Sequence, residues 1–229
     1  MPAYNEAEGI AELLRAWAAE LSSHGIDYEL RVYDDGSIDD TAKELARVAA
    51  ELPTVVPASH PNRGHGPSVL RGYAEARGHW VFQVDGDGEI APMHFRALWT
   101  RRDSADLLLG RRMGRRDGAA RAIVSTAARA SVRLLFGGRV HDVNSPFRLV
   151  RRAVLEDVLR HVPAAAFAPN VLLTGLACRR GLRVFEVPVP NEGRRWGRAS
   201  LVSWRLWRKA ALALRQTAAL ALARKGRAR

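Results

Sequence analysis

Asp85-Gly86-Asp87 places two carboxylates one residue apart, just after the apolar run Trp80-Val81-Phe82-Gln83-Val84. Side chains of an extended chain repeat every two residues, so both carboxylates fall on one side of the backbone, and Gly86 has no side chain to obstruct a bulky ligand. Paired hard oxygens suit a divalent cation that keeps positions open for phosphate oxygens. A second acidic cluster, Asp34-Asp35-Gly36-Ser37, closes another apolar run about fifty residues earlier. Asp and Gly are ordinary turn residues, so either cluster alone is equally a solvated turn. Two of them on successive strand ends read as a site. Other chemistry has thinner support: the 7 His residues never adopt the spacing of a zinc site. Cys178 is the only cysteine, which excludes an intramolecular disulfide, and no paired base can be assigned to it.

Periodicity gives the elements that must hold these residues. Asn5 with Glu8 reads as a capping box ahead of an amphipathic helix from Ile10 to Leu21. Glu29–Tyr33 reads as a strand ending at the first acidic cluster. Ser37 and Asp40 read as a second cap, opening a helix through Ala50. Val55-Val56 is a minimal strand, residues 62–66 a turn, 67–77 a helix, and Trp80–Val84 the strand that carries the acidic pair. Pro92 starts a helix with Phe95 and Leu98. This alternation predicts an α/β fold, its sheet mainly parallel with helices on both faces. Ligands of such sheets bind at the carboxyl ends of strands, where both acidic clusters lie.

Further on, the pattern predicts a strand at Asp106–Gly110, a long helix at Ala119–Phe136 and an extended Ser145–Val150. Helices near 152–161 and 169–180, a strand at Val184–Pro188 and a polar loop over Asn191–Ser200 follow. Leu201–Lys225 reads as an amphipathic helix, with Arg205, Arg208, Lys209 and Arg215 on one side and Val202, Leu206, Trp207, Ala210, Ala213 and Leu214 on the other. Residues 1–200 are thus expected to form a catalytic domain and 201–229 a basic amphipathic helix and tail. Pro2-Ala3-Tyr4-Asn5-Glu6 looks like the end of a strand that nothing precedes. That implies a true start upstream of Met1.

Among 229 residues, 47% are apolar, ample for a core in one large domain. The charge is divided. Residues 1–100 carry 8 Lys/Arg against 16 Asp/Glu, residues 101–190 carry 17 against 7, and residues 191–229 carry 11 against 1. An acidic half that could hold a cation is followed by a basic half that could hold anions, and phosphates would bridge the two. The basic stretches lack aromatic interleaving or a helix-turn-helix pattern, so nucleic acid is not the expected partner. No signal peptide and no run of 18 uncharged apolar residues is present, which predicts a cytoplasmic protein.

Several segments in register resemble family 2 glycosyltransferases of the GT-A fold, nearest to the dolichyl- or polyprenyl-phosphate mannose/glucose synthases. They are Pro2-Ala3-Tyr4-Asn5-Glu6, Asp34-Asp35-Gly36-Ser37-Ile38-Asp39-Asp40-Thr41, Asn62-Arg63-Gly64-His65-Gly66, Asp85-Gly86-Asp87, Gly110-Arg111-Arg112 and Asp142-Val143-Asn144-Ser145-Pro146-Phe147-Arg148. Glu186-Val187-Pro188-Val189 and Arg194-Arg195-Trp196-Gly197-Arg198-Ala199-Ser200 complete the set. The resemblance implies a three-layer fold and a nucleotide-sugar donor. Pro2, Ala3, Tyr4 and Glu6 would line the base and ribose, with Asp34 or Asp35 beside them and Gly64 in the donor loop. Asp85 and Asp87 would hold Mg²⁺ or Mn²⁺ against the diphosphate. Arg112 and Arg121 match phosphate-meeting positions, and Arg194 and Arg198 lie in the loop that closes over the donor. Three departures stand out. Glu89 replaces the usual Gln and adds a carboxylate near the metal, His65 replaces the usual Lys, and Arg198 precedes Ala-Ser where Ser-Lys is typical.

Relatives with hydroxyl acceptors carry a Glu-Asp type base at the start of a late helix. The comparable stretch here, Phe167-Ala168-Pro169-Asn170, has no carboxylate. A lipid phosphate is already anionic and needs no base. The sequence therefore predicts an inverting, metal-dependent transfer of a hexose from GDP-mannose or UDP-glucose to a polyprenyl phosphate. The terminal helix would add peripheral contact with the inner face of the cell membrane. Two alternatives stay open. One is a hydroxyl acceptor with Asp142 as base, a residue that could equally cap or pair with Arg148. The other is a basic binding protein on a degenerate transferase scaffold.

Overall fold

The computed structural model describes residues 1–114, 118–194, 196 and 203–223. A first, all-parallel sheet holds β1 (Pro2–Ala3), β2 (Leu30–Asp34) and β3 (Val55–Ser59), in that order. The chain between these strands forms α1 (Ile10–Ser23) and α2 (Thr41–Glu51). α1 buries Ile10, Leu13, Leu14, Trp17 and Leu21, a one-face pattern at helical spacing. α3 (His65–Glu75) then leads into β4 (Trp80–Gln83), followed by α4 (Phe95–Trp99) and β5 (Leu107–Met113). α5 (Ala119–Phe136), β6 (Arg148–Arg151), α6 (Arg152–Leu159), α7 (Pro169–Arg179), β7 (Val184–Pro190) and α8 (Ser203–Ala223) complete the order.

The second sheet runs β4-β6-β5-β7. β5 and β7 are parallel, whereas β6 is antiparallel to both its neighbours. After α5 the chain re-enters at the end of the sheet where β5 finishes, Gly110 N donating to Phe147 O at 2.7 Å, and β6 must therefore run back. The two sheets meet between β1 and β4. β1 has two residues, and its link to the β4 side is one hydrogen bond, Gly86 N to Pro2 O at 3.1 Å. A cavity of about 320 Å³ opens between β2 and β4, lined among others by Trp17, Leu30, Tyr33, Val81, Phe82 and Leu149.

Below the ends of β1 and β4 an aromatic cluster fixes the floor. Phe82 lies 5.3 Å from Trp17, 5.0 Å from Phe95 and 4.9 Å from Phe147, the last two edge-on. Such pairs add about 0.5–1.5 kcal/mol each beyond the area they bury.

Two expected caps form differently. Asn5 does not cap α1: it adopts a left-handed φ of 54°, and its Oδ1 accepts from Ile38 N at 2.9 Å. Gly9 stands at the N-cap without a side-chain bond. At α2 neither Ser37 nor Asp40 caps. Asp39 Oδ1 accepts from Thr41 N at 3.0 Å and from Thr41 Oγ1 at 2.5 Å. In both places a polar side chain satisfies the helix start or a neighbouring loop by a route other than local spacing.

α8 packs its distal half on the body. Thr217 and Ala221 are buried, Gln216 Oε1 accepts from Phe167 N at 3.0 Å, and Arg179 donates to Ala221 O at 3.3 Å. Lys209, though exposed, places its Nζ 5.3 Å from the centroid of the Phe167 ring. Trp207, Leu212, Leu214 and Leu222 remain exposed, so only part of the apolar side is covered. Among the described residues no helix is long and apolar enough to cross a membrane.

Candidate active site

The carboxyl ends of β1, β2 and β4 converge on one edge, with Arg194 of the segment after β7 facing them. At β2 the first acidic cluster is turned inward. Asp35 accepts from Arg63 N at 2.7 Å through Oδ1 and from Gly64 N at 2.9 Å through Oδ2, which anchors the loop before α3. Asp34 Oδ1 accepts from Ser37 N at 3.0 Å and Ser37 Oγ at 2.5 Å, while Oδ2 makes no hydrogen bond to the described residues. Both aspartates are buried.

The second cluster is crowded. Asp85 Oδ1 accepts from Gln83 Nε2 and meets His65 Nε2, both at 3.0 Å, and Oδ2 is left without a described partner. Burial opposes charge on Asp85, but His65, together with the charges of Arg112 and the amino terminus, outweighs it and holds this carboxyl below its ordinary value. Asp87 goes the other way. Burial first, then the charges of Asp85 and Glu89, push it up to about 7, with Arg194 only partly offsetting them. Glu89 faces Asp87 electrostatically, but its Oε2 accepts from Asn191 Nδ2 at 3.1 Å. Among the described residues no three His, Cys, Asp or Glu side chains converge as a ligand set. The donor set of Asp85 and Asp87 still fits a hard divalent cation, because two half-buried carboxylates side by side repel each other until a positive charge neutralises them.

Gly86 has a different task from the one its spacing suggests. A Cβ there would lie 3.0 Å from Pro2 O and 3.4 Å from Ala3 Cβ, so the glycine permits close packing against β1 rather than ligand entry.

Above the carboxylates runs the loop after β7. Arg194 bridges Glu6 at 2.6 Å and Asp87 at 3.3 Å. Trp196 lies against Gly9, where a Cβ would come within 2.1 Å of the indole, and this contact ties the loop to the start of α1. Glu6 is buried, its Oε2 has no partner among the described residues, and desolvation raises its pKa despite Arg194. Pro2 and Ala3 are buried in β1, and Tyr4 is half-buried beside them. Gly64 opens the N-terminus of α3. Arg198 lies outside the described residues.

Across the cleft a polar cavity of about 190 Å³ is lined by Arg111, Arg112, Ser125, Arg129, His141 and Asp142, among others. Arg112 grips Asp142 with both ends of its fork, Nε to Oδ2 at 2.7 Å and Nη2 to Oδ1 at 2.9 Å. Arg148 does not pair with Asp142. It is buried and donates to the carbonyls of Ser145, Val143 and Asn170. Arg121 is exposed in the first turn of α5, outside this cavity's lining.

Sequence reasoning missed Gln83, His65 as a partner of Asp85, and Asn170 as a polar residue of the interior. The signal for Gln83 was present: it stands two residues before Asp85, on the same side of the strand.

Comparison with known proteins adds the following. The model of the family described as "Glycosyl transferase family 2" matches residues 1–159. The undecaprenyl-phosphate 4-deoxy-4-formamido-L-arabinose transferase of Klebsiella pneumoniae is 28% identical over 200 residues, covering 86% of this chain and 60% of that protein. The enzyme of the same name from Enterobacter is 27% identical over 209 residues, covering 90% and 62%. The chain thus spans about three-fifths of the length of these curated relatives. In structure it is similar to glucosyl-3-phosphoglycerate synthase from Mycobacterium tuberculosis, crystallised with Mn²⁺ and UDP-glucose. That likeness has a TM-score of 0.69 at 20% identity, over 95% of this chain and 77% of that one. A complex of the same enzyme with phosphoglyceric acid gives 0.65 at 23% identity. At these identities the likeness shows a shared fold, the GT-A fold.

Proposed function

The chain belongs to glycosyl transferase family 2, and from that premise we propose that it moves a sugar from a nucleotide sugar to a polyprenyl phosphate with inversion at the anomeric carbon. The observation that carries this reading is the pairing of a crowded acidic ledge at Asp85 and Asp87 with an arginine-lined cavity across the cleft. The polyprenyl-phosphate acceptor is supported by the names of the curated relatives. GDP-mannose and UDP-glucose are the donors this reading starts from.

In this reading Asp85 and Asp87 hold Mg²⁺ or Mn²⁺. The cation, when bound, neutralises charge on the departing diphosphate, an effect worth several kcal/mol in the transition state. Pro2, Ala3 and Tyr4 flank the nucleoside. The buried Oε2 of Glu6, with no protein partner, accepts a hydrogen bond from a ribose hydroxyl. Arg194 already spans Glu6 and Asp87 and is placed to move onto the diphosphate, the role that the sequence resemblance also gives to Arg198. Asp34 and the loop bearing Gly64 complete the nucleotide side, and Glu89 keeps the 191–192 segment against the site.

An acceptor phosphate oxygen attacks the anomeric carbon as the bond from that carbon to the nucleotide oxygen breaks. The lipid phosphate is ionised at neutral pH and needs no base. Arg111, Arg112 and Arg129 supply the positive wall that would seat it, with Arg121 at the approach. Asp142 is poorly placed to act as a base for a hydroxyl acceptor, since Arg112 occupies both its oxygens. Asn170 at the start of α7 offers no carboxylate either. The exposed Trp207, Leu212 and Leu214 beside Arg208 and Arg215 suit an interfacial position at an anionic membrane.

The test is transfer itself. The protein is incubated with labelled GDP-mannose or UDP-glucose and vesicles containing a polyprenyl phosphate. Label should enter an organic-extractable lipid that mild acid releases. Label only in water-soluble product would refute the lipid acceptor and favour a hydroxyl one. Equal nucleotide binding with and without Mn²⁺ would favour a degenerate scaffold.

A further inference from the structure

The interior behind Asp85 holds a chain of polar side chains that the mechanism above does not use. Gln83 is 4% exposed and Asn170 is 2% exposed. The Gln83 carboxamide is held from behind: Oε1 accepts from Asn170 Nδ2 at 2.9 Å and from Tyr73 OH at 3.3 Å. Asn170 is itself fixed. Its Oδ1 faces Tyr73 OH at 3.0 Å, and its backbone carbonyl accepts from Arg148 Nη1 at 3.2 Å. Arg148 in turn is 1% exposed and donates to Ser145 O at 2.8 Å through Nε.

This arrangement decides which way the Gln83 amide points. Asn170 Nδ2 donates to Oε1, while Tyr73 OH has one proton to share between Asn170 Oδ1 at 3.0 Å and Oε1 at 3.3 Å; the NH₂ end is left for Asp85, and Gln83 Nε2 donates to Asp85 Oδ1 at 3.0 Å. His65 meets the same oxygen from α3. With Oδ1 held by two neighbours, Oδ2 is the oxygen left facing the cleft. A bond to one oxygen of a ligating carboxylate fixes its rotation and the direction of its free lone pairs, and groups of this kind typically change metal affinity by about 10–100-fold.

We infer that Gln83 is a positioning residue for divalent-cation binding, its carboxamide locked by Asn170 and Tyr73 so that it presents Asp85 Oδ2 to the ion. The inference rests on the reading of Asp85 and Asp87 as cation ligands. It also gives Asn170, at the helix start where a base would stand in hydroxyl-using relatives, a role in the wall behind the donor.

The experiment measures Mn²⁺ affinity by the electron paramagnetic resonance signal of the free ion, with whichever of UDP or GDP the parent protein binds more tightly. Gln83→Met keeps the volume and removes the donor. It should weaken Mn²⁺ roughly 10-fold while leaving metal-free nucleotide affinity at the parent's value. Mn²⁺ affinity within twofold of the parent's would overturn the inference.

Asn170→Asp is the second variant, and it carries the test if Gln83→Met does not fold. It replaces the donor behind Gln83 with an acceptor, so the amide should turn and aim Oε1 at Asp85. Added negative charge alone would tighten Mn²⁺, whereas a reversed amide weakens it. Tighter binding would therefore also overturn the inference. Asp85→Asn/Asp87→Asn is the control: if the parent binds Mn²⁺ no better than this double variant, the cation-site reading itself has failed.

Discussion

At the end of β2, Asp34 and Asp35 face hydroxyl and N–H groups of their own neighbourhood. At the end of β4, Asp85 and Asp87 face each other and Glu89, with His65 and Arg194 as the available counter-charges. In sequence the two clusters are alike: acidic residues with a glycine after an apolar run. The difference lies in what the surrounding loops offer. Three N–H groups and a hydroxyl turn the first cluster into a set of loop anchors. The second meets as many donors, Gln83 Nε2, His65 Nε2, Glu89 N and Arg194 Nη2, yet with three carboxylates close together Asp87 stays raised to about 7. A half-buried carboxylate pushed up by its acidic neighbours is where a cation gains most, and a carboxylate held by loop N–H groups has less left to offer one.

The largest effect should separate the clusters by function. Asp87→Asn should lower transfer by two to three orders of magnitude, the several kcal/mol expected of a cation on the leaving group. The apo protein should melt no lower, since the substitution relieves repulsion. Asp35→Ala should do the reverse to stability, removing the acceptor of two backbone N–H groups at a cost of about 2–3 kcal/mol. Thermal melts with chelator and initial rates with Mn²⁺ check both. Near-normal activity in Asp87→Asn would end the cation assignment. An unchanged melt in Asp35→Ala would erase the contrast from the other side.

A smaller effect is the opposite pH dependence of the two regions. In the first, burial opposes charge on Asp39, but bonds from Thr41 and Ala7 N outweigh it and hold its pKa below 3.8. That stability is present above the unfolded value and is lost as pH falls through the lowered one. Asp87 is raised to about 7, so the native state takes up a proton that the unfolded chain releases near pH 4. Its contribution is therefore favourable at low pH and is lost as pH rises from about 4 to about 7. Denaturant titrations of the apo protein should show a decline over that window, flattened in Asp87→Asn and by added Mn²⁺. Asp39→Asn should flatten the acid limb alone.

How far the sequence reveals this depends on the range of each interaction. The α1 and β4 periodicities and the strand-end position of both clusters are local or follow from alternation, and they are legible. The fate of the carboxylates is not. Asp35 is satisfied by Arg63 and Gly64, 28 and 29 residues away, and Asn5 reaches Ile38 across 33 positions instead of capping its own helix. Gly86 reads as clearance for a ligand until β1 is seen packed on it. Gln83 reads as one more residue of a buried strand until Tyr73 and Asn170 are seen behind it. Spacing tells which side chains share a side of a strand. It does not tell which backbone arrives to meet them.

The finest test falls on Asp34, which belongs to both halves of the contrast. Its Oδ1 anchors Ser37, while its Oδ2 has no described partner. An asparagine offers the same Oδ1 acceptor, so Asp34→Asn should leave the apo melt within about 1 kcal/mol of the parent, the ordinary range for a substitution that keeps its hydrogen bonds. The free oxygen, however, becomes an NH₂ group that can no longer accept. If Oδ2 meets the nucleoside, metal-free nucleotide affinity should fall roughly tenfold, the 1–1.5 kcal/mol of one hydrogen bond. Calorimetric titration with UDP and GDP reads this directly. A loss confined to one nucleotide would show that Asp34 distinguishes the base. Equal affinity for both, unchanged from the parent, would return Asp34 wholly to the loop and make the first cluster structural throughout.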